Sequence, residues 1–126
     1  MSGHIPEFAS SDWYSDPTDH RCPHDAWLES FEIREPSTGS RSELRRTVII
    51  VRLLGSYHDG QIILTYDGVV GFSSSSRDSR EGLGDWLKDG FKLSGDGLIL
   101  HRVDWERGSW TIEAESVTYE WIQKEG

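Results

Sequence analysis

The stretch Thr47-Val48-Ile49-Ile50-Val51-Arg52-Leu53-Leu54 decides the fold of this chain. It is rich in β-branched residues and carries a single charge, which is typical of a strand covered on both faces and too short for a free-standing helix. Residues 55–60 then form a polar, turn-forming segment, and residues 61–66 are again mostly apolar. A strand, a short polar connection and a second strand predict the central hairpin of an antiparallel sheet.

Further strands are indicated by the alternation of apolar and polar residues. Residues 27–34 alternate, with Trp27, Phe31 and Ile33 on one face, and we expect Trp27 to pack in the core. Residues 98–105 alternate as well, and an apolar pattern returns over residues 110–122. Residues 86–93 fit either a strand with a glycine kink or a short helical turn, and we favour the strand. About six strands with no sustained helical period predict an all-β protein. Because neighbours in sequence usually pair, we expect an antiparallel meander that curls into a small sandwich or a partly open barrel.

Two irregularities are predicted within these strands. Leu28 breaks the alternation of its strand, which indicates a bulge or a second, partly covered face. The last strand changes phase, because its apolar residues fall first on even and then on odd numbers: Trp110, Ile112, Ala114, Val117, Tyr119 and Trp121. A change of phase sends the apolar set to the other face, so we expect a bulge near Glu115 and Ser116, unless the strand is covered on opposite faces at its two ends.

Two stretches lack a strand pattern. Residues 1–23 hold scattered aromatics and prolines, and they predict an extended N-terminal arm that Trp13 and Tyr14 pin to the body. Residues 73–82 are rich in serine and charge, and they predict a flexible loop because such a composition buries little apolar area. The remaining pattern places a single antiparallel β domain at residues 24–123.

The charge balance restricts the classes of partner. The chain has 126 residues and a net charge of −9, from 22 acidic and 13 basic residues. Such a field repels phosphate backbones and anionic lipids, so we expect neither nucleic-acid nor membrane binding. It favours a basic protein partner or simply solubility.

The cellular location follows from what the sequence does not contain. Cys22 is the single cysteine, so no disulfide forms within the chain. The sequence does not begin with the basic residues and apolar run that are typical of a secretion signal, and no apolar run approaches the length of a membrane span. We therefore expect a soluble cytoplasmic protein.

The spacing His20-x-Cys22-x-His24 is the one candidate metal motif. Alternate residues of an extended segment point the same way, so two imidazoles and a thiolate could converge on zinc. Structural zinc usually draws its ligands from two separated pairs, and here His58 or His101 would have to supply the rest. A polar lead-in to the first strand is the favoured interpretation, and no cofactor is expected.

Catalytic motifs are equally sparse. Cys22, His24 and Asp25 supply the residue types of a nucleophilic site, but close neighbours in an extended chain cannot face one another as a triad. No Gly-x-Ser-x-Gly turn and no glycine-rich phosphate loop is present. We predict that the protein is not an enzyme.

His101 and several aromatic residues are the candidate binding residues. Alternation places His101 on the apolar face, where a core histidine bonded to a backbone group or a carboxylate is favoured over a ligand-binding one. Tyr119 is expected to pack between strands. Trp13, Trp86 or Trp121 would mark a protein-binding patch if exposed beside acidic residues.

Three segments of the chain carry a resemblance to known proteins. His24-Asp25-Ala26-Trp27 starts a strand, Leu64-Thr65-Tyr66-Asp67-Gly68-Val69 lies in the middle, and Trp110-Thr111-Ile112-Glu113-Ala114 runs towards Val117-Thr118-Tyr119. Over residues 24–122 the chain resembles a loose group of small bacterial antiparallel β domains with a His-Asp strand start. Some members are immunity proteins of polymorphic-toxin systems, which block a cognate toxin by binding it. The resemblance implies a protein-binding role and carries over no catalytic residues.

Three functional hypotheses follow. The first is a non-enzymatic, immunity-like module that binds a basic protein through an acidic face and exposed aromatics. The second is a small-ligand-binding β barrel with His101 or Tyr119 lining an internal cavity. The third is a metal-dependent enzyme using the segment from His20 to His24. An exposed edge strand would also favour a homodimer.

Overall fold

The computed structural model describes residues 4–41 and 44–124. Within them the protein is all-β, with three short 3-10 helices at Glu7–Ser10, Asp12–Ser15 and Ser79–Glu81 and no α-helix. The strands in chain order are β1 (Trp27–Arg34), β2 (Ser37–Thr38), β3 (Leu44–Arg45), β4 (Val48–Leu54), β5 (Gly60–Ser76), β6 (Trp86–Leu93), β7 (Ile99–Trp105) and β8 (Gly108–Gln123). The all-β prediction is confirmed, as is a strand at residues 86–93. None of the described helices is long and apolar enough to cross a membrane.

Six of the strands form one antiparallel sheet in the order β1-β4-β5-β8-β7-β6, and β2 pairs with β3 in a separate small ribbon. The predicted central hairpin is β4 and β5, with Val48 opposite Asp67 and Leu54 opposite Gln61. A simple meander is wrong at one point, because β5 pairs with β8 instead of with β6. β5 and β8 are the two longest strands, with 17 and 16 residues, whereas β6 has eight. Pairing with β8 therefore gives hydrogen-bond partners to more backbone groups of β5 than pairing with β6 could.

The sheet is staggered around the long strands β5 and β8. β4 pairs with β5 only as far as Asp67, and β7 pairs with β8 only as far as Ala114. Each long strand therefore has one half with no described strand on its outer side: residues 70–76 of β5 and residues 117–123 of β8. This stagger decides which surfaces remain available for binding.

The sheet curls but does not close into a barrel. The chain just before β1 meets the start of β6 through two backbone hydrogen bonds, from Asp25 N–H to the Trp86 carbonyl at 2.9 Å and from Trp86 N–H to the Ala26 carbonyl at 3.0 Å. Beyond these bonds the two edge strands, β1 and β6, are not paired with each other in the described residues.

The core lies inside this curl. Alternate residues of β4 are fully buried, and the facing residues of β5 are buried with them, as the alternation requires. The buried cluster includes Ile49, Val51, Leu53, Ile62, Leu64, Tyr66, Trp86, Val103, Trp105, Ile112 and Ala114. Each such large apolar side chain contributes about 1.5–3 kcal/mol by leaving water.

The irregularities fall partly where they were predicted. A register shift follows Leu28 in β1, which agrees with the bulge expected there. The bulge predicted at Glu115 and Ser116 is wrong in position, since the shift lies on β5, between Val69 and Gly71. Both apolar sets of β8 nevertheless contribute to one core cluster.

Candidate functional site

A buried hydrogen-bonded chain joins three strands around His101. The imidazole is 0% exposed and stacks on Phe91 with ring centroids 3.9 Å apart. Its Nε2 lies 2.7 Å from Asp89 Oδ2, and its Nδ1 lies 2.7 Å from the Tyr66 hydroxyl. Because a carboxylate only accepts hydrogen bonds, Nε2 carries the proton, and Tyr66 donates to Nδ1. His101 is thus a core histidine satisfied by a carboxylate.

The N-terminal arm is attached to this chain. Tyr14 donates a 2.6 Å hydrogen bond to Asp89 Oδ2, and the buried Cys22 Sγ donates to the Tyr14 carbonyl at 3.0 Å. Tyr119, on the half of β8 that has no outer neighbour among the described strands, donates to the Arg21 carbonyl. The arm thus packs against this half of β8 at Tyr119, while Thr118, Glu120 and Ile122 stay exposed.

A plain extended arm was predicted, and this prediction is wrong in its local geometry. Two 3-10 helices, Glu7–Ser10 and Asp12–Ser15, lie within the arm. Compact turns of this kind bring successive aromatic rings to one place. Here the rings of Phe8, Trp13 and Tyr14 all lie within 6.3 Å of the Tyr119 ring.

Burial sets the protonation of this network. Removal from water lowers the pKa of His101, against the opposing effect of Asp89. Removal from water also raises the pKa of Tyr14, and the neighbouring Asp89 charge raises it further. The chain of groups therefore holds a neutral imidazole and a neutral phenol around one carboxylate, an arrangement that locks the arm in place and leaves His101 out of reach of a substrate.

The tryptophans singled out as candidate binding residues lie mostly inside. Trp86 is 1% exposed and packs edge-on against Trp105. Trp121 is half-buried and covers Gly60. Trp13 is half-buried under the guanidinium of Arg21, which lies 4.7 Å from its ring centroid. These three do not form one exposed patch.

The three candidate zinc ligands point to different partners. His20 contacts Asp59 at 2.5 Å, Cys22 contacts the backbone of Tyr14, and His24 lies 3.2 Å from Asp25. Over residues 4–41 and 44–124, no three His, Cys, Asp or Glu side chains are grouped so that they could hold a metal ion.

A hollow of about 410 Å³ lies between the arm and β6. Tyr14 and Asp89 line it, together with Trp86 and Phe91, whereas His101 and Tyr119 do not. It is a groove between two surface segments, and it differs from the internal cavity that a ligand-binding barrel would need.

A second candidate site lies around Trp27, where exposed aromatic surface adjoins carboxylates. Trp27 at the start of β1 is 48% exposed, and its indole N–H donates a 2.6 Å hydrogen bond to Asp85 Oδ1. The His58 ring meets the indole edge-on at 4.8 Å. A large aromatic side chain is therefore held in a fixed orientation at the surface.

Beside Trp27 lie two neighbouring hollows of about 260 Å³ each, and both include Leu28 and Leu83 in their linings. We call this pair of hollows the tryptophan groove and define it by its apolar lining: Trp27, Leu28, Phe31, Leu83 and Trp110.

Carboxylates stand on the rim of the tryptophan groove. Glu81, Asp85 and Glu106 line its Trp27 end, along with Arg107. Glu106 Oε1 accepts a 2.7 Å hydrogen bond from the Asp85 backbone N–H. An aromatic residue that is exposed and ringed by carboxylates is the feature that discriminates a protein-binding module from the other two hypotheses.

Sequence reasoning assigned Trp27 to the core and missed this groove. The alternation placed Trp27 with Phe31 and Ile33 on one buried face, but the register shift after Leu28 changes the phase of the strand, and Trp27 lies at the surface. The break at Leu28 was the available signal, although it does not say which side of the bulge is exposed. No protein-family model matches this chain, and neither a curated protein nor a solved structure matches it.

Proposed function

We propose that the protein is a non-enzymatic binding module that holds a basic protein partner in the tryptophan groove. The observation that carries this proposal is the exposed Trp27, fixed by Asp85 beside an apolar depression with Glu81 and Glu106 on its rim. The curled sheet then acts as a partly open barrel, with the groove between β1 and the end of β5 as its binding face.

The chemistry of the groove suits a protein partner. Tryptophan anchors contribute more to protein–protein binding than most side chains, and an anchor already held in one rotamer loses little entropy on binding. The hydrogen bond from Trp27 to Asp85 supplies that preorganisation. The resemblance to bacterial immunity domains supports a partner that is itself a protein.

Charge supports a basic partner. The net charge of −9 steers a cationic surface towards the protein and repels anionic ones. The groove is lined by three carboxylates, Glu81, Asp85 and Glu106, and by one cation, Arg107, which keeps its charge because it donates to the neutral Gly82 carbonyl at 2.8 Å. Arg80, farther along the chain, pairs with Asp78 at 2.7 Å.

Selection from a displayed library of random linear peptides tests this function, with the whole protein as bait. We expect enrichment of peptides that combine Lys or Arg with large apolar residues, and binding that weakens as salt is raised. The Trp27→Ala variant should lose this binding, whereas Tyr57→Ala, which removes another exposed aromatic from a different site, should retain it. Peptides without a basic bias, or equal binding by both variants, would contradict the proposal.

A further inference from the structure

We propose that the partner adds an extended segment to the sheet as a new strand, along the edge of β5 between Val70 and Ser76. The inference rests on the proposed function and names the form in which the partner is bound. Strand addition is a recurring mode of peptide recognition, in which the backbone supplies affinity and neighbouring pockets supply specificity.

The edge is open on the side away from β8. β4 leaves β5 at Asp67, and one further backbone hydrogen bond, from Val69 N–H to the Thr47 carbonyl at 2.9 Å, ends the contact. Past this point no described strand pairs with β5 on that side, and residues 70–76 are all exposed while keeping strand geometry. The corresponding half of β8 packs against the arm at Tyr119, whereas residues 70–76 of β5 are exposed throughout.

The direction of the backbone groups can be assigned from the pairing with β8. Arg77 N–H donates to the Arg107 carbonyl at 3.0 Å, at the turn that begins β8. Amide directions alternate along a strand, so Ser73 and Ser75 face β8, opposite Thr111 and Ser109. The amide and carbonyl groups of the intervening residues, Phe72, Ser74 and Ser76, therefore point outward and are available to another strand.

Most of the devices that protect an edge strand are absent from this segment. Natural sheets discourage edge pairing with lysine, proline, inward-pointing charge or a bulge on the exposed strand. Residues 70–76 read Val-Gly-Phe-Ser-Ser-Ser-Ser and contain none of the first three, and the bulge between Val69 and Gly71 precedes the outward groups of Phe72, Ser74 and Ser76. Four consecutive serines offer little side-chain bulk to keep a new strand away.

A pocket for a side chain of the added strand adjoins the same edge. Residues 74–76 form one wall of the tryptophan groove, opposite Leu28 and Phe31, with Trp110 also lining it. That part of the groove measures about 260 Å³, more than the roughly 150 Å³ that suffices for a benzene-sized group. A strand on the β5 edge could thus place an apolar side chain in the groove and direct basic ones to its acidic rim.

A second copy of this chain is the less favoured occupant. Two copies each carry a net charge of −9, so like-charge repulsion opposes their approach. A segment of a basic protein is instead attracted by the negative charge of this chain. The occupant is therefore an extended, Lys- or Arg-bearing segment of another chain.

Proline at an outward position gives a direct test. Ser74→Pro removes one outward N–H and leaves the bonds of residues 73 and 75 to β8 intact, a placement that edge strands tolerate. The probe is a synthetic copy of the peptide most enriched in the library selection. We expect Ser74→Pro to weaken its binding about tenfold or more, and Ser74→Ala, the matched control, to leave it unchanged.

Amide hydrogen exchange on the unmodified protein gives a second, independent measurement. Bound peptide should slow exchange at Phe72, Ser74 and Ser76, the three outward amides. Strand addition would be overturned, and the proposed function would stand, if Trp27→Ala lost binding while Ser74→Pro and Ser74→Ala bound the peptide equally and exchange at these amides did not slow. A selection that enriches no peptide would overturn both. A dimer in sedimentation that Ser74→Pro dissolves would overturn the assigned occupant in favour of a second copy.

Discussion

Tyr14 donates a 2.6 Å hydrogen bond to Asp89 Oδ2 across 75 residues of sequence, and the same oxygen accepts from His101. One carboxylate, 13% exposed, thereby ties the N-terminal arm to the buried histidine. The arm is thus anchored by a polar bond inside an aromatic cluster, in addition to the packing of its rings on Tyr119.

Removing the Tyr14 hydroxyl should loosen the arm. A hydrogen bond to a carboxylate contributes about 1.5–3 kcal/mol where it is buried, and Tyr14→Phe keeps the ring while deleting the bond. We expect the free energy of unfolding in urea to fall by about 1.5 kcal/mol. Tyr57→Phe deletes an exposed bond to the Pro17 carbonyl and should cost clearly less. Equal losses in the two variants would contradict the assigned role of Asp89.

The reactivity of Cys22 should report how often the arm detaches from the sheet. Cys22 lies near the end of the arm and is 2% exposed, and burial raises the pKa of its thiol, so little thiolate is available for reaction. We expect slow labelling by a thiol reagent in the native protein. Labelling should be about tenfold faster in Tyr14→Phe, because about 1.4 kcal/mol of lost stability makes opening tenfold more frequent. An unchanged rate would show that the arm is held without this bond.

Acidification should destabilise the protein through His101. Burial lowers the pKa of His101 below its ordinary value of 6.5, so the unfolded chain binds the proton more readily. The contribution of His101 to stability is full above pH 6.5 and is lost as pH falls from 6.5 towards the lowered pKa. Asp89 and Tyr66 are the titratable groups bonded to it.

Urea unfolding on both sides of pH 6.5 measures this effect. His101→Gln keeps the other four histidines, including His20 beside Asp59, so the difference between the two proteins isolates His101. We expect the unmodified protein to lose more stability on acidification than the variant. A difference of the opposite sign would mean that the folded protein takes up the proton on this imidazole.

The sequence was sufficient to locate the strands but not to predict which strands pair with one another. Apolar runs and alternation are local properties, so they located β4, β5 and β7, and the break at Leu28 located a bulge. The pairing of β5 with β8 depends on contacts between residues far apart in sequence, such as Leu64 with Tyr119, which no local pattern encodes. Residues 73–76 show the same limit. Their composition predicted a flexible loop, but backbone pairing to β8 orders them as strand, and the Ser75 hydroxyl lies 3.3 Å from the Ser109 hydroxyl across the pair.

The candidate sites likewise combine features that the local sequence predicts with features that depend on the fold. His101 could be placed in the core because its neighbours alternate, but its partner Asp89 lies on another strand and carried no signal. The exposure of Trp27 depends on which side of a bulge faces solvent, a choice made by the surrounding fold. The open edge of β5 depends on where β4 ends relative to β5, and this offset is visible only in the register.

Gly60 gives a test of packing at the end of the sheet. A β-carbon added there would lie 2.3 Å from Cζ2 of Trp121, which covers this end of β5. Gly60→Ala should therefore displace the indole and lower the free energy of unfolding by about 1–3 kcal/mol, the usual cost of overpacking. Gly71 of the same strand is the matched control, because nothing lies within 4 Å of the corresponding position.

We expect Gly71→Ala to be neutral or slightly stabilising, since alanine restricts the unfolded chain more than glycine does. Tryptophan fluorescence should shift in Gly60→Ala and stay constant in Gly71→Ala, because only the first substitution moves an indole. If Gly60→Ala were as stable as the unmodified protein, Trp121 would not be packed over this glycine, and the half of β8 that carries it would have to adopt another position relative to β5.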